Sequence, residues 1–310
     1  MNDSKRRSLR LFFTGFTMGI ADLIPGVSGG TIAFLFGIYD ELLYSIKVVT
    51  GDVPKLFLTG RFVEAFRLIP FSFLVPLGGG ILLAILGLAR AVSLLLDTQP
   101  VAVWAFFFGL VLASTLVVAR RVTHWNLHRV LLCIVGFVFT FIIVGLPALS
   151  GNDSLLAVFA TGVIAITAMI LPGISGSLIM ALLGQYEIIV GAVADFDVSI
   201  MLVFFAGAMT GLAIFVRILG WLLRHFYFSV IALLAGVMAG SLRRIWPWQI
   251  SEAEGSVSNI LPALDASLVW MLLLIAFGIA TVLLLERVGI ATEHDDIDSP
   301  EFQKELPPKE

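Results

Sequence analysis

The chain has 310 residues, 59% of them hydrophobic and 13% charged, with a mean hydropathy of +1.04 and a net charge of −3. Soluble domains average about 25% charged residues, so this balance excludes a water-soluble globular enzyme and a nucleic-acid-binding protein. Uncharged runs at 69–89 and 101–119 are as long as the ~18 apolar residues that read as a membrane span. The composition is that of an all-α polytopic membrane protein.

Residues 1–10 are basic and are expected to lie in the cytoplasm. They resemble the first region of a signal peptide, but no small-residue cleavage site closes the apolar stretch that follows, so no cleaved leader is expected. Residues 11–24 are apolar, yet as a helix they reach only roughly 21 Å, short of the ~30 Å hydrocarbon core. Pro25-Gly26 interrupts, and 27–46 is apolar again. A single helix over 11–46 would measure roughly 54 Å, too long to span even when tilted. The simplest reading is a re-entrant helical hairpin over 11–46 that enters and leaves on one side. Backbone freed at such a break is tolerated only when buried in protein or facing a wet cavity.

Residues 52–68 read as an amphipathic interfacial helix, with Leu56, Phe57, Phe62, Phe66 and Leu68 set against Lys55, Arg61, Glu64 and Arg67. Transmembrane helices follow at 69–89, 101–119 and 130–148. A second re-entrant hairpin is expected over 155–193, around Pro172-Gly173, then spans at 199–219, 228–242 and 268–285. The acidic tail 291–310 has no apolar periodicity and is expected to be disordered and cytoplasmic.

This order repeats. Leu23-Ile24-Pro25-Gly26-Val27-Ser28-Gly29-Gly30 returns as Ile170-Leu171-Pro172-Gly173-Ile174-Ser175-Gly176-Ser177. At the same spacing Gly15 meets Gly162, Gly37 meets Gly184, Tyr39 meets Tyr186 and Asp40 meets Glu187. A second echo aligns Phe108-Gly109-Leu110-Val111-Leu112-Ala113-Ser114 with Ala235-Gly236-Val237-Met238-Ala239-Gly240-Ser241. The repeats are 11–150 and 151–290, each with one hairpin and three crossings. An odd number of crossings inverts the second repeat relative to the first. On this topology only Arg90, Arg243 and Arg244 of the 19 lysines and arginines lie opposite the termini. Positive charge stays inside, so both termini are expected in the cytoplasm.

The two breaks carry the chemistry. A half-helix that starts near the membrane midplane points unpaired N–H groups and a positive dipole end at whatever lies there. Small residues let an anion approach those groups. Pro25, Gly26, Ser28, Gly29, Gly30 and Thr31, with Pro172, Gly173, Ser175, Gly176 and Ser177, are the candidate substrate-binding residues of one shared anion site. The competing reading is that Pro-Gly kinks packed helices and the small residues permit close crossing.

Asp22, whose repeat partner is Met169, is a candidate proton carrier or a helix cap. Glu187 is the second proton-coupling candidate, while Asp40 and Glu41 read as solvated ends. Arginine matches phosphate with a planar fork of donors, so Arg243 and Arg244 outside, and Arg120 and Arg121 inside, are candidates to collect a phosphorylated head group. Trp246 and Trp248 read as an interfacial belt.

Signals for catalysis are poor. His124 and His128 stand at i, i+4 without a third ligand, Cys133 reads as a core residue, and no Walker motif or Ser/His/Asp set is visible. No enzyme activity, metal or cofactor is expected. From the residues alone the reading is a transporter of an anion with inverted repeats.

The phrase Gly19-Ile20-Ala21-Asp22-Leu23-Ile24-Pro25-Gly26-Val27-Ser28-Gly29-Gly30-Thr31 resembles the signature of a bacterial membrane family, formerly a domain of unknown function. These are the PopT-like polyprenyl-phosphate (undecaprenyl-phosphate) transporters. Leu171-Pro172-Gly173-Ile174-Ser175-Gly176-Ser177 and Gly240-Ser241-Leu242-Arg243-Arg244-Ile245-Trp246-Pro247 fit the same family, and the resemblance covers about residues 9–290. It implies translocation of undecaprenyl phosphate between leaflets of the inner membrane, to recycle the lipid carrier of cell-wall precursors. The implied partners are that anionic lipid and the bilayer, with self-association left open. An ion-coupled carrier of a small soluble anion and, behind it, a membrane enzyme acting on lipid phosphate are the alternatives.

Overall fold

The computed structural model describes residues 3–24, 27–152, 154–251 and 257–297. The first half holds α1 (Asp3–Asp22), α2 (Gly29–Leu35), α3 (Tyr39–Lys47), α4 (Val53–Leu58), α5 (Phe62–Leu68), α6 (Phe71–Thr98), α7 (Pro100–Arg120) and α8 (Leu127–Ile143). The second holds α9 (Leu155–Ile170), α10 (Gly176–Leu182), α11 (Tyr186–Ala194), α12 (Val198–Ser241) and α13 (Ala266–Ile297). A short antiparallel ribbon, β1 (Gln249–Ser251) with β2 (Val257–Asn259), lies between α12 and α13.

Among the described residues α6, α7, α12 and the Ala266–Arg287 part of α13 are long and apolar enough to cross a membrane. The pair α10 and α11 makes a fifth candidate, bent by 111°. The chain is a multi-pass membrane protein. Leu131, Val135, Phe139 and Ile142 of α8 lie exposed, an apolar surface that suits lipid and would be a liability in water.

Several elements differ from the sequence reading, each for a local reason. The segment after each break is two helices, not one: α2 and α3 meet at Gly37, α10 and α11 at Gly184. These glycines have φ of +70° and +68°, a region that side chains disfavour. The segment 52–68 forms two helices around Thr59-Gly60, with Phe57 packed edge-on against Phe62 and Phe66. A π-type turn, Val48–Asp52, joins α3 to α4.

The span expected at 69–89 continues to Thr98, because the lone Arg90 is followed by good helix formers. α8 stops at Ile143, ahead of Gly145 and Pro147. The expected spans 199–219 and 228–242 are the two arms of α12, 44 residues in all, which meet at a kink on non-helical Phe226 (φ −136°, ψ 40°) with almost no loop between them. No proline or glycine run separates its arms. α13 runs on to Ile297, through residues 291–297 where disorder was expected, since no helix breaker intervenes before Pro300. Residues 298–310 lie outside the described residues.

Helices cross where glycine lets backbones touch. A Cβ at Gly15 of α1 would collide with the carbonyl oxygen of Leu77, and one at Gly80 of α6 with that of Phe12. In the second half Gly162 meets Phe204 and Gly207 meets Phe159 in the same way. The other crossings exchange halves. α7 packs on α13 through Gly109 against Ile275 and Gly278 against Phe106. α8 packs on the second arm of α12 through Gly136 against Leu233 and Gly236 against Cys133. These crossings bring the two breaks into the centre of the main core, beside Ile24, Val27, Ile170 and Met238.

Candidate functional site

At the first break α1 ends on Asp22 and α2 begins at Gly29. Four N–H groups at a helix start lack intrahelical partners. The Asp22 carboxylate accepts from the Gly29 N–H at 2.7 Å, and the Ser28 hydroxyl accepts from the Gly30 N–H at 3.1 Å. Ser28 is extended (φ −123°, ψ 130°), as an N-cap requires. The carboxylate therefore stands at the helix end where an anion was expected, in the capping role. Pro25 and Gly26 lie outside the described residues.

The second break meets the first. The freed carbonyls at the end of α9 are taken by side chains of the first half. Ser28 Oγ lies 3.2 Å from the Met169 oxygen and 3.3 Å from that of Leu171, and the Tyr39 hydroxyl donates to the Ile170 oxygen at 3.1 Å. In return the Gly173 N–H donates to Thr31 Oγ1 at 3.0 Å. A Cβ on Gly30 would lie 2.8 Å from the Ile170 oxygen, so only glycine fits this junction. Ser28, Thr31, Tyr39 and Ser175 are all buried.

The serines and threonine of the breaks bond to protein groups. The hydroxyls of Ser28 and Thr31, expected to face an anion, are engaged with the opposite break. Ser175 and Ser177 hydrogen bond to each other at 2.8 Å, so no side chain caps α10. Pro172 stands in the same break. Gly173 (φ +91°) rests against Met238 and the Ser241 hydroxyl of α12, and Gly176 lies against Ala165 of α9. The first helix start is thus closed by a carboxylate and a hydroxyl, while the second carries no such cap.

The arginines divide into committed and uncommitted groups. Arg120 is exposed. Arg121 lies over the Phe34 ring at 4.7 Å and donates to the Phe34 oxygen at 3.3 Å. It lines a cleft with Phe34, Gly37, Tyr39, Asp40, Leu223 and Tyr227. The cleft has about 90 Å³ of free space, where a single water needs ~10–15 Å³. Arg243 lies over the Phe141 ring at 4.6 Å, donates to the Phe141 oxygen at 2.9 Å and presses against Gly145. Arg244 is half-buried, and its guanidinium has no partner among the described residues.

Arg121 caps the end of α7, six residues before α8 begins, and Arg243 bonds to Phe141 near the other end of α8, whose 17 residues span about 25 Å. Glu187 is exposed, apart from the breaks' contacts. Trp246 packs against Trp248 and Phe108 and donates to the Ile260 oxygen at 2.9 Å. Sequence reasoning assigned Tyr39 no role, though its recurrence as Tyr186 was the available signal. Tyr227 carried no such signal.

Comparison with known proteins adds a lineage to this geometry. The profile of a family described as VCA0040-like, undecaprenyl phosphate translocase-like, matches residues 18–260. A protein of Vibrio cholerae serotype O1 named polyprenyl-phosphate transporter is 42% identical over 262 residues, covering 84% of this chain and 85% of that one. A Staphylococcus aureus protein of the same name is 28% identical over 299 residues, covering 91% and 96%. No solved structure matches the chain significantly. The matched stretch takes in both breaks, the Arg121 cleft and the Arg243–Arg244 pair, and the chain belongs to the undecaprenyl phosphate translocase-like family.

Proposed function

We propose that this chain moves a polyprenyl phosphate, such as undecaprenyl phosphate, between the leaflets of a bacterial cytoplasmic membrane, returning the lipid carrier to the inner leaflet. Family membership and the names of the relatives support the substrate. The observation that carries the site is the meeting of the two breaks through Ser28, Thr31, Tyr39 and Gly173. The substrate's tail can remain in lipid while its head, with about −1.5 to −2 charges, needs a polar path. Arg244, the junction of the breaks and Arg121 mark such a path from one end of α8 to the other.

The two halves are inverted repeats, each with a re-entrant hairpin, and both termini are cytoplasmic in this reading. Support comes from the repeated phrase, from the glycine crossings that recur at matching places, and from the distribution of positive charge. At the junction a phosphate takes the place of the neutral bonds that Ser28 and Thr31 make across the halves. Charge-assisted bonds are roughly twice as strong as neutral ones, which offsets the loss. The uncapped start of α10 and the small residues Gly29, Gly30 and Gly176 give the head group access to backbone N–H groups. Asp22 holds the start of α2 when no head group is present and is the candidate to exchange a proton. The protein acts as a carrier, with no chemical step on the lipid.

Reconstitution into vesicles tests this reading. Leaflet exchange of a polyprenyl phosphate should require the protein, with and without a pH gradient compared. Flux of soluble phosphate without lipid exchange would favour the soluble-anion carrier, and release of phosphate from the lipid would favour an enzyme.

A further inference from the structure

The turn between α10 and α11 is covered by the segment 145–152, which joins α8 to α9; the matching turn between α2 and α3 is open. Gly37 and Gly184 share one backbone conformation, with φ of +70° and +68°. A Cβ on Gly37 would meet nothing within 4 Å, and Gly37 lines the Arg121 cleft. A Cβ on Gly184 would collide with the Leu149 oxygen and lie 2.9 Å from the Gly151 nitrogen.

The covering segment is held by few bonds, most of them polar. The Leu149 N–H donates to the Leu182 oxygen, and Gln185 Nε2 donates to the Asn152 oxygen, both at 2.8 Å. Gln185 is buried, 2% exposed, and its Oε1 has no partner among the described residues. The side chains of Leu146 and Leu149 stay exposed. Where the segment begins, the Arg243 guanidinium occupies the space that a Cβ on Gly145 would need, while bonded to the Phe141 oxygen. A segment with polar ties and little buried apolar surface belongs to the part of a fold that opens most easily.

We infer that 145–152 is a lid over the turn at Gly184, the second half's match to the Gly37 turn that lines the Arg121 cleft, and that Arg243 is its latch. The ligand that opens it is the phosphomonoester head of a lipid. That identity rests on the transport reading above; the lid itself rests on the geometry. A head group drawn to Arg244, whose guanidinium has no partner among the described residues, reaches the neighbouring Arg243 as well. An oxyanion outcompetes the neutral Phe141 carbonyl for that guanidinium, and Gly145 loses the group packed on it. The turn at Gly37 is open to the Arg121 cleft while the turn at Gly184 is covered, so access changes when the lid lifts.

Two matched substitutions separate the lid from backbone strain. Gly184→Ala and Gly37→Ala place a side chain at the same positive φ, but only the first meets the lid. Hydrogen exchange in the purified full-length protein should speed up about tenfold across 145–152 in Gly184→Ala and stay unchanged in Gly37→Ala. Arg243→Gln should also speed it, and Arg244→Gln should not. Should Gly184→Ala fail to fold, Gln185→Leu removes the bond to Asn152 and takes its place. Equal exchange in the two glycine variants, or none in either, overturns the lid. In a Cys133→Ala background, Asn152→Cys and Gln185→Cys joined by a short reducible thiol cross-linker should stop polyprenyl-phosphate exchange in vesicles, and reductant should restore it. Undiminished exchange by cross-linked protein overturns the lid's role. No exchange before cross-linking sinks the transport reading instead, and the hydrogen-exchange comparison still decides the lid.

Discussion

The side-chain oxygen of Thr31 accepts a hydrogen bond from the backbone N–H of Gly173, 3.0 Å away and in the other half of the chain. Thr31 is fully buried, so this N–H has no water to turn to. Thr31→Val keeps the shape and removes the acceptor. It should destabilise the protein by about 1–3 kcal/mol, the range for a buried donor left unpaired. Thermal unfolding in detergent measures this, and unchanged stability would mean that the two breaks are not joined here.

The two glycines at the helix starts should differ. A Cβ on Gly29 would lie 2.6 Å from the Asp22 carboxylate, whereas the nearest atom to a Cβ on Gly176 is the Ala165 oxygen at 3.1 Å. Gly29→Ala displaces a cap and should cost about 1–2 kcal/mol, in the range of other lost caps. Gly176→Ala should cost less. Leucine at either position should abolish leaflet exchange in well-expressed protein.

Asp22 tests the cap directly. Asp22→Ala removes both the acceptor and the charge from the start of α2 and should lose about 1–2 kcal/mol. Asp22→Asn keeps an acceptor for the Gly29 N–H and should lose less. Stability measurements on both variants check the order. If alanine and asparagine cost the same, the bond to Gly29 contributes nothing.

Arg243 and Arg244 should separate stability from capture. Arg243→Gln loses the Phe141 ring contact and a carbonyl bond, together about 1–2 kcal/mol. Arg244→Gln breaks no hydrogen bond or ion pair among the described residues, so unfolding should be nearly unchanged while more lipid phosphate is needed for half-maximal exchange. Equal loss of stability in both would refute the division between them.

Topology follows from charge. A cysteine at Thr59, between α4 and α5, should react with an impermeant thiol reagent only from the cytoplasmic side, and one at Ser154 only from outside, each in a Cys133→Ala background. Labelling of both from one side would remove the inverted arrangement.

What was legible from the residues was the pairing of the breaks, because Pro-Gly and Ser-Gly inside apolar sequence leave few alternatives to a broken helix. Their meeting is visible in the bonds of Ser28 and Thr31, but the choice of partners was not. An expected anion contact and a bond to another carbonyl require the same hydroxyl. Helix ends were least legible where tertiary packing overrides local signals. Residues 220–227 were read as the connection between two spans, yet the first arm of α12 continues through Arg224 and His225 to the kink at Phe226. The bends at Gly37 and Gly184 were hidden because glycine in a membrane helix reads equally well as a packing site. The unequal roles of Arg243 and Arg244 turn on Phe141 and Gly145, about a hundred residues upstream, which no local pattern connects to them.

The exchanged crossings, α7 on α13 and α8 on the second arm of α12, set the order in which the protein can be built. Ribosomes deliver α7 and α8 long before their partners exist, so the first half must wait in the bilayer with glycine-lined faces still uncovered. Neither half can complete its packing by itself, and assembly ends only when α13 slides into place against Phe106 and Gly109. Synthesis therefore leaves the Gly109 face of α7 without its partner until the last helix arrives, and a chain cut before α13 should fold less stably than the whole.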